Sequence, residues 1–209
     1  MRICIVDYGV GNLFSVEKAF QYFDAEVNVS EDADVIASHD ALILPGVGSF
    51  QAGMDGLRIR GLIDVVQKHV AEEKPLLGIC LGAQLLLTNG KEFGEHRGLD
   101  IIHGDVLHFP ALADNRKTPH IGWNTIEPAS QKDWKGTILD NLPDHPEMYF
   151  VHSYILQPNG NKAVLASTEY GGCTFPSVIR KGNVYGCQFH PEKSGKHGLQ
   201  IIQNFLNIK

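Results

Sequence analysis

Blocks of apolar and polar residues alternate along the first half of the chain. Short apolar runs, typical of buried strands, are separated by longer segments whose apolar residues recur every three or four positions, as on one face of a helix. The runs predicted as strands are 2–7, 25–29, 41–45 and 75–79. The segments predicted as helices are 13–23, capped by Asn12, a long stretch over 50–73, and a short helix beginning near residue 83. This alternation predicts an α/β fold with an open, mostly parallel central sheet flanked by helices.

The second half of the chain has a different pattern, in which short strands follow one another with short turns between them. The predicted strands are 104–109, 124–128, 148–156, 162–168, 174–181 and 183–189. They predict an antiparallel extension of the same sheet. A final helix over about 196–207 has Leu199, Ile202, Phe205 and Leu206 on one face. Since no linker or repeat divides the chain, we expect one domain over residues 1–209.

Composition and charge narrow the class of protein. With 209 residues, of which 43% are apolar, the chain is long enough for one large core. A net charge of -6 disfavours nucleic acid as a main partner, because phosphate binding needs a basic face. No run approaches a membrane span, and the N-terminal apolar run reaches Asp7 too early for a secretion signal. We therefore expect a cytoplasmic protein that does not bind membranes.

One of the four cysteines lies in an unusual backbone context. Cys4 and Cys187 lie in apolar runs and are predicted to be core residues. The sequence has no C-x-x-C pair of the kind that binds metals, and we expect no metal or cofactor. Cys80, in "GICLGAQ" (78–84), follows a predicted strand, precedes a predicted helix and has glycine two positions away on each side. This is the nucleophile-elbow arrangement, in which a sharp turn exposes the side chain at the end of a strand. The helix N-terminus favours the reactive thiolate, and the N–H of Leu81 would face a developing oxyanion.

A nucleophilic cysteine needs a base, and His-Pro-Glu occurs twice in the chain, at 145–147 and at 190–192. The first precedes a predicted strand, whereas the second follows one, as Cys80 does. Because sites in open α/β sheets gather at the carboxyl ends of strands, His190 is the predicted base, with Glu192 orienting its ring. Five other histidines in polar surroundings are predicted to be solvated: His39, His69, His96, His145 and His197.

Another strand also ends in a glycine-rich turn, "PGVGSF" (45–50). The glycines permit backbone conformations that other residues rarely adopt. A main-chain N–H of Val47 or Gly48 is therefore the candidate for a second oxyanion donor. Such a donor is typically worth about 3 kcal/mol of transition-state stabilisation.

Three motifs in this order, "PGVGSF", "GICLGAQLL" and "FHPEKS", resemble those of the class I (triad) glutamine amidotransferases, and the resemblance covers essentially the whole chain. Four further segments resemble one branch of that family, the glutaminase subunits of imidazole glycerol phosphate synthase. They are "DYGVGNLFSV" (7–16), "PHIGWN" (119–124), "YFVHSY" (149–154) and Lys193-Ser194. One departure is Ala83, where the family usually has methionine; it bears on packing behind the elbow.

The resemblance implies that Cys80 attacks the side-chain amide of glutamine, with His190 and Glu192 completing a triad. It also implies an oxyanion hole of Leu81, Val47 and Gly48. The residues that it implies for substrate binding are Gly46, Gln84, Glu92, His152, Ser153 and Tyr154, with Glu92 pairing with the α-ammonium group.

The resemblance further implies a heterodimer with a (β/α)8-barrel cyclase subunit, which receives the ammonia in histidine biosynthesis. The candidate interface residues are Asn12, His120, Trp123, Asn124, Tyr149 and Lys193. Trp123 is the expected anchor, because tryptophan is enriched at interface hot spots.

Other functions remain open at this point. The acceptor could belong to another synthase, for anthranilate, p-aminobenzoate, pyridoxal phosphate or an acetamidino sugar. The same three side chains would also serve a stand-alone γ-glutamyl hydrolase, and a non-catalytic binding subunit is a further alternative. A dinucleotide site is disfavoured, because "GVGN" (9–12) only begins the glycine fingerprint and Phe14 stands where its third glycine belongs.

Overall fold

The computed structural model describes residues 1–113, 115–129 and 133–208. Within them, an eight-stranded sheet forms the centre, in the order β2-β1-β3-β4-β14-β13-β12-β9. Its parallel strands are β1 (Arg2–Val6), β2 (Glu26–Ser30), β3 (Ala41–Gly46), β4 (Leu76–Cys80) and β14 (Val184–Cys187). Its antiparallel strands are β13 (Cys173–Lys181), β12 (Val164–Tyr170) and β9 (Glu127–Pro128). The predicted α/β class with an antiparallel extension is confirmed.

Helices cover both faces of this sheet. They are α1 (Leu13–Gln21), α2 (Ala33–Ala37), α3 (Phe50–Ile59), α4 (Ile63–Ala71), α5 (Leu81–Leu85) and α6 (Gly195–Leu206). The pleat of β1 sends Ile3 and Ile5 into a core shared with α1 and α6, where Phe20 and Phe205 meet edge to face. Cys4 and Val6 point to the opposite face of the sheet and enter a second core, which helices α2 to α5 cover.

Part of the second half forms two smaller sheets, contrary to the prediction of a single extended sheet. β10 (Glu147–His152) pairs with β8 (His120–Thr125). The other sheet has the order β11-β7-β5-β6, from β11 (Tyr154–Pro158), β7 (Ile102–His108), β5 (Leu87–Gly90) and β6 (His96–Arg97). The apolar run over 148–156 therefore contributes to two sheets and breaks at Ser153, because its two parts pair with different strands.

Two further predictions need correction. The helical pattern over 50–73 is interrupted at Gly61, whose φ of +67° is not helical, so that α3 and α4 are separate helices. His39 and His69, predicted to be solvated, are buried. His39 contacts the side chain of Asn28, and Nε2 of His69 donates to the Pro75 carbonyl. Burial lowers the pKa of His69, which keeps it neutral.

Several remaining predictions are confirmed. Asn12 caps α1 by accepting from the Ser15 amide, and Cys4 and Cys187 are fully buried. The sequence did not predict α2, β5 or β6. The described residues include no helix of the length and apolarity that a membrane crossing requires.

Candidate active site

Cys80 is held on a strained turn between a strand and a helix. It ends β4 with φ +53° and ψ −108°, and α5 begins at the next residue. A side chain at Gly82 would overlap the main-chain carbonyl of Leu44, and a Cβ at Gly78 would lie 2.8 Å from the Ala83 amide nitrogen. The two glycines therefore let α5 pack directly on β3 and β4. The predicted nucleophile elbow is present.

His190 and Glu192 reach the same edge of the sheet because β14 runs parallel to β4 and directly beside it. The Nδ1–H of His190 donates to Oε1 of Glu192 at 2.8 Å, and both side chains are almost completely buried. This bond fixes the ring and leaves Nε2 for the Cys80 thiol. Burial alone would lower the pKa of His190, but Cys80 and the Glu192 carboxylate outweigh it and raise that pKa to about 9.

The second His-Pro-Glu segment lies elsewhere. His145 is exposed just before the start of β10, where its Nδ1 pairs with Oε1 of Glu127 at 3.1 Å. The end of β10 that meets Cys80 is the opposite one, where the Val151 carbonyl lies 3.8 Å from the sulfur. The choice between the two histidines, made from strand ends, agrees with this arrangement.

The main chain of His190 is fastened to β10 by a buried hydroxyl. The His190 amide donates to the Tyr149 carbonyl at 2.9 Å. The Tyr149 amide donates to the Ser194 hydroxyl at 3.0 Å, and that hydroxyl donates to the His190 carbonyl at 2.6 Å. Ser194 thus bridges the strand and the turn that carries the triad histidine and glutamate.

A cavity of about 280 Å³ opens in front of the thiol. Its lining consists of Val47, Gly48, Cys80, Leu81, Gln84, Glu92, Pro119, Val151, His152, Ser153 and Tyr154. The structure therefore brings together the candidates for the nucleophile, the oxyanion donors and all but one of the substrate ligands. The exception is Gly46, which pairs with Cys80 in the sheet behind the cavity.

Two kinds of polar group line the cavity, main-chain amides and a carboxylate. The amides of Val47 and Gly48 make no hydrogen bond within the described residues, so they can serve a developing negative charge. Oε2 of Glu92 accepts from the Phe50 amide at 2.7 Å, which holds the carboxylate at the N-terminus of α3. Burial, and secondarily the charge of Glu92, raise the pKa of the neighbouring Tyr154.

The two histidines paired across β8 and β10 are neutral and buried. His152 donates from Nδ1 to the Tyr154 carbonyl at 2.8 Å, and burial lowers its pKa to about 3. His120 is stacked between the rings of Phe150 and Tyr170, and burial lowers its pKa to about 4. The prediction that His120 lies on a partner-facing surface is therefore wrong, because only 2% of it is exposed.

The other interface candidates lie at the start of α1, on the β8–β10 pair and on the turn at 191–193. Trp123 is 54% exposed, and its ring lies 6.0 Å from that of its cross-strand neighbour Tyr149. Asn12 and Lys193 are exposed, on α1 and on the 191–193 turn that α1 contacts. Asn124 is half-buried and donates to the Glu169 carbonyl. Two exposed apolar residues that were not predicted, Phe14 and Ile121, lie on α1 and β8.

Sequence reasoning also missed a buried amide beside the thiol. Gln188 is completely buried, and its Nε2 lies 4.0 Å from the Cys80 sulfur. Its Oε1 accepts from Gln84 Nε2 at 3.3 Å, and Gln84 also donates to the Tyr154 carbonyl at 3.2 Å. The available signal was a polar residue within the otherwise apolar run "VYGCQF", since buried polar groups are retained where they have partners.

The fold and this site define a known class. Residues 4–208 match the family described as glutamine amidotransferase class-I. The fold is also similar to a crystal structure of a glutamine amidotransferase from Thermotoga maritima, with a TM-score of 0.65 at 16% identity, covering 99% of this chain and 83% of that one. The chain belongs to the class I glutamine amidotransferase family.

More similar relatives come from one branch of that family. The chain is 50% identical to "Imidazole glycerol phosphate synthase subunit HisH 1" of Legionella pneumophila (strain Paris), over 99% of both chains. It is 41% identical to "Imidazole glycerol phosphate synthase subunit HisH" of Chlorobaculum tepidum, over 99% of this chain and 100% of the relative. Within the class, the chain therefore belongs with the HisH subunits.

Proposed function

We propose that this chain is the glutaminase subunit of an imidazole glycerol phosphate synthase, acting as one glutaminase domain over residues 1–209 in the cytoplasm. In this function it releases ammonia from glutamine and passes it to a (β/α)8-barrel cyclase subunit in histidine biosynthesis. The observation that carries the proposal is the buried His190–Glu192 pair beside the strained Cys80, at the wall of a cavity that could hold an amino acid. The similarity to HisH subunits supports the choice of synthase.

The first half of the reaction forms a thioester. The Cys80 thiolate attacks the side-chain amide carbon of glutamine, and the carbonyl oxygen becomes an oxyanion that the amides of Leu81 and Val47 or Gly48 stabilise. The His190 imidazolium then gives its proton to the leaving nitrogen. The carbon–nitrogen bond breaks, ammonia leaves, and a γ-glutamyl thioester remains on Cys80.

The second half regenerates the enzyme. Neutral His190 accepts a proton from water as the water oxygen attacks the thioester carbon. The carbon–sulfur bond breaks and the thiolate departs, leaving glutamate and the original thiolate–imidazolium pair. Throughout, Glu192 keeps the Nδ1 proton in place, so that Nε2 alone exchanges protons with the reacting groups.

Substrate orientation in this proposal follows from the charges at the cavity. Among the described residues of the lining, Glu92 is the one acidic side chain, and it suits the α-ammonium group of glutamine. The main chain at His152, Ser153 and Tyr154 would run beside the ligand. Gly46 would affect substrate binding indirectly, by setting the conformation of the turn at 47–49 that follows it.

The partner surface that we propose consists of Asn12, Trp123, Asn124, Tyr149 and Lys193. Exposed Phe14 and Ile121 add apolar area to this surface, as expected for a binding site. Lys193 directly follows Glu192 in the chain, so the proposed surface includes a residue next to the triad. Ammonia released at Cys80 would thus be formed close to the docked cyclase.

The catalytic part of the proposal is tested with Cys80→Ala. We expect this variant to lose glutamate formation and labelling by a glutamine-like electrophile. Cys173→Ala is the matched control, because Cys173 is half-exposed and does not line the cavity. Glutamate formation by Cys80→Ala at the wild-type rate would refute the role of Cys80.

The partner is tested by co-purification with a HisF-type cyclase and by glutaminase assays with and without it. We expect the bound cyclase to accelerate glutamate formation, and Trp123→Ala to weaken that acceleration while the free chain keeps its basal activity. High activity of the free chain with no response to the cyclase would instead indicate a stand-alone hydrolase.

A second candidate keeps this chemistry but changes the acceptor to an acetamidino-sugar synthase. The relatives in two Legionella pneumophila strains, Paris and Philadelphia 1, are named HisH 1, with a numeral, and this makes a direct test of the pathway necessary. Growth of a histidine auxotroph lacking its own HisH, when supplied with this chain and its cyclase, would favour the first candidate. Failure to grow while glutaminase activity persists would favour the second.

A further inference from the structure

The buried amide of Gln188 faces the reactive sulfur, and a chain of hydrogen bonds sets its direction. The Tyr154 carbonyl can only accept, so the Gln84 group that faces it at 3.2 Å is the amino group. The same amino group lies 3.3 Å from the Gln188 side chain, which must therefore present its oxygen there. The remaining end of Gln188, its N–H donors, points toward Cys80 at 4.0 Å.

We infer that Gln188 is a catalytic residue that donates a hydrogen bond to the Cys80 sulfur and stabilises the negative charge on it. This inference rests on the proposed function, in which the thiolate is the nucleophile. The Val151 carbonyl, 3.8 Å from the sulfur, can accept a hydrogen bond only from the neutral thiol and so favours the unreactive form. The N–H of Gln188 opposes that preference, because it can bond to the thiolate.

The complete burial of Gln188 strengthens its effect on the sulfur. In a water-free surrounding, a neutral N–H donor interacts more strongly with a charge than it would at the surface. Because both ends of its amide have partners, Gln188 does not need to reorient when charge develops on the sulfur. At the lower end of the usual range, a hydrogen bond to a charged group changes an equilibrium by about 10-fold. We use this lower value because Nε2 of Gln188 and the sulfur are 4.0 Å apart.

The titratable groups around the sulfur do not duplicate this role. His190 faces it from the end of β14 and carries the opposite charge, with Glu192 behind it. Tyr8 donates its hydroxyl proton to the Pro45 carbonyl, and burial raises its pKa above the ordinary range, so it stays neutral. His152, on β10, is neutral as well. Gln188, which has no titratable proton, can therefore donate to the sulfur at every pH.

The test measures alkylation of Cys80 by iodoacetamide as a function of pH, with the modified peptide quantified by mass spectrometry. Gln188→Met keeps the approximate shape of the side chain but removes the donor. Gln188→Glu keeps an oxygen that can accept from Gln84 and places a carboxylate beside the sulfur. Gln67→Met is the matched control, since Gln67 lies on α4 and donates to the Leu99 carbonyl instead of the sulfur. Circular dichroism checks folding, and Gln188→Glu serves alone if the methionine variant does not fold.

We expect the midpoint of the alkylation profile of Gln188→Met to lie about one pH unit above that of the wild type, with about 10-fold slower alkylation at pH values below the wild-type midpoint and a nearly unchanged high-pH plateau. Gln188→Glu should shift further, and Gln67→Met should match the wild type. An equal reduction at every pH would indicate a merely structural role, and a wild-type profile in Gln188→Glu would overturn the inference. In either of those cases, glutamate formation by the wild type would leave the proposed function standing.

Discussion

The most informative single change is Glu192→Gln, because it removes one charge and little else. The carboxylate accepts a hydrogen bond from Nδ1–H of His190 at 2.8 Å, and both side chains are at most 3% exposed. An amide oxygen can still accept that hydrogen bond, so the ring keeps its position. The lost contribution is the stabilisation of the imidazolium form by a negative charge.

The size of this contribution follows from the burial of the pair. A hydrogen bond between charged groups is worth about 1.5–3 kcal/mol, which corresponds to about 10- to 100-fold in an equilibrium. The pKa of His190 is about 9 in the native protein, against the lowering effect of burial. Without the carboxylate the imidazolium is less stable, so the pKa of His190 falls. The high-pH limb of kcat/KM, where imidazolium is lost, should therefore move down from near pH 9 by about 1 to 2 units.

The assay is glutamate formation between pH 5 and 10 with the cyclase bound, alongside Glu127→Gln. Glu127 is the matched control, because it pairs with His145 at 3.1 Å but on the exposed surface. We expect about 10- to 100-fold lower kcat/KM for Glu192→Gln at pH 10, a smaller decrease at pH 8, and no change for Glu127→Gln. If Glu192→Gln retains the wild-type limb near pH 9, the carboxylate does not stabilise the His190 imidazolium.

Three further predictions concern the surroundings of the triad. Ser194→Ala should lower kcat with little change in KM and reduce the free energy of unfolding, measured with urea, by about 1 kcal/mol. The control is Ser177→Ala, which removes a buried hydroxyl without a hydrogen-bond partner in the described residues and should not lower kcat. Gly82→Ala should abolish activity and lower the thermal midpoint, because its Cβ would collide with main chain; wild-type activity in a folded Gly82→Ala protein would contradict the close packing of the elbow. Glu92→Gln should raise KM for glutamine by about 10-fold or more and leave kcat nearly unchanged. A fall in kcat alone would indicate that the bond from Phe50 to Glu92 serves the turn at 47–49 instead of the substrate.

The elements that position the thiol could be predicted because their signals are local. An apolar run that ends in a cysteine between two glycines is typical of a tight strand-to-helix turn, and the glycines at 78 and 82 fit where a side chain would collide. The division between α3 and α4 could not be predicted from apolar spacing, because the spacing continues across Gly61. The two helices are separated at residues 60–62, where Gly61 has a positive φ.

Histidine burial depends on partners that sequence patterns do not reveal. His39 lies in polar surroundings along the chain but contacts Asn28, eleven residues away. The sequence predicts His120 at the surface because its segment resembles a partner-facing one. The structure inserts its ring between Phe150 and Tyr170, which come from distant positions in the chain. Local polarity therefore predicts exposure poorly where a ring nitrogen or a stacking face finds a partner elsewhere.

Much of the positioning in this site comes from main-chain atoms, which explains the limits of motif reasoning. The Tyr149 carbonyl holds His190, the Val151 carbonyl contacts the sulfur, and the Tyr154 carbonyl sets the direction of the buried amides. Any residue type could supply these carbonyls, so no side-chain pattern marks them. They lie on β10 and at the start of β11, within a single run that the sequence presents as one strand. The break at Ser153 turns that run past the thiol and makes it a wall of the site.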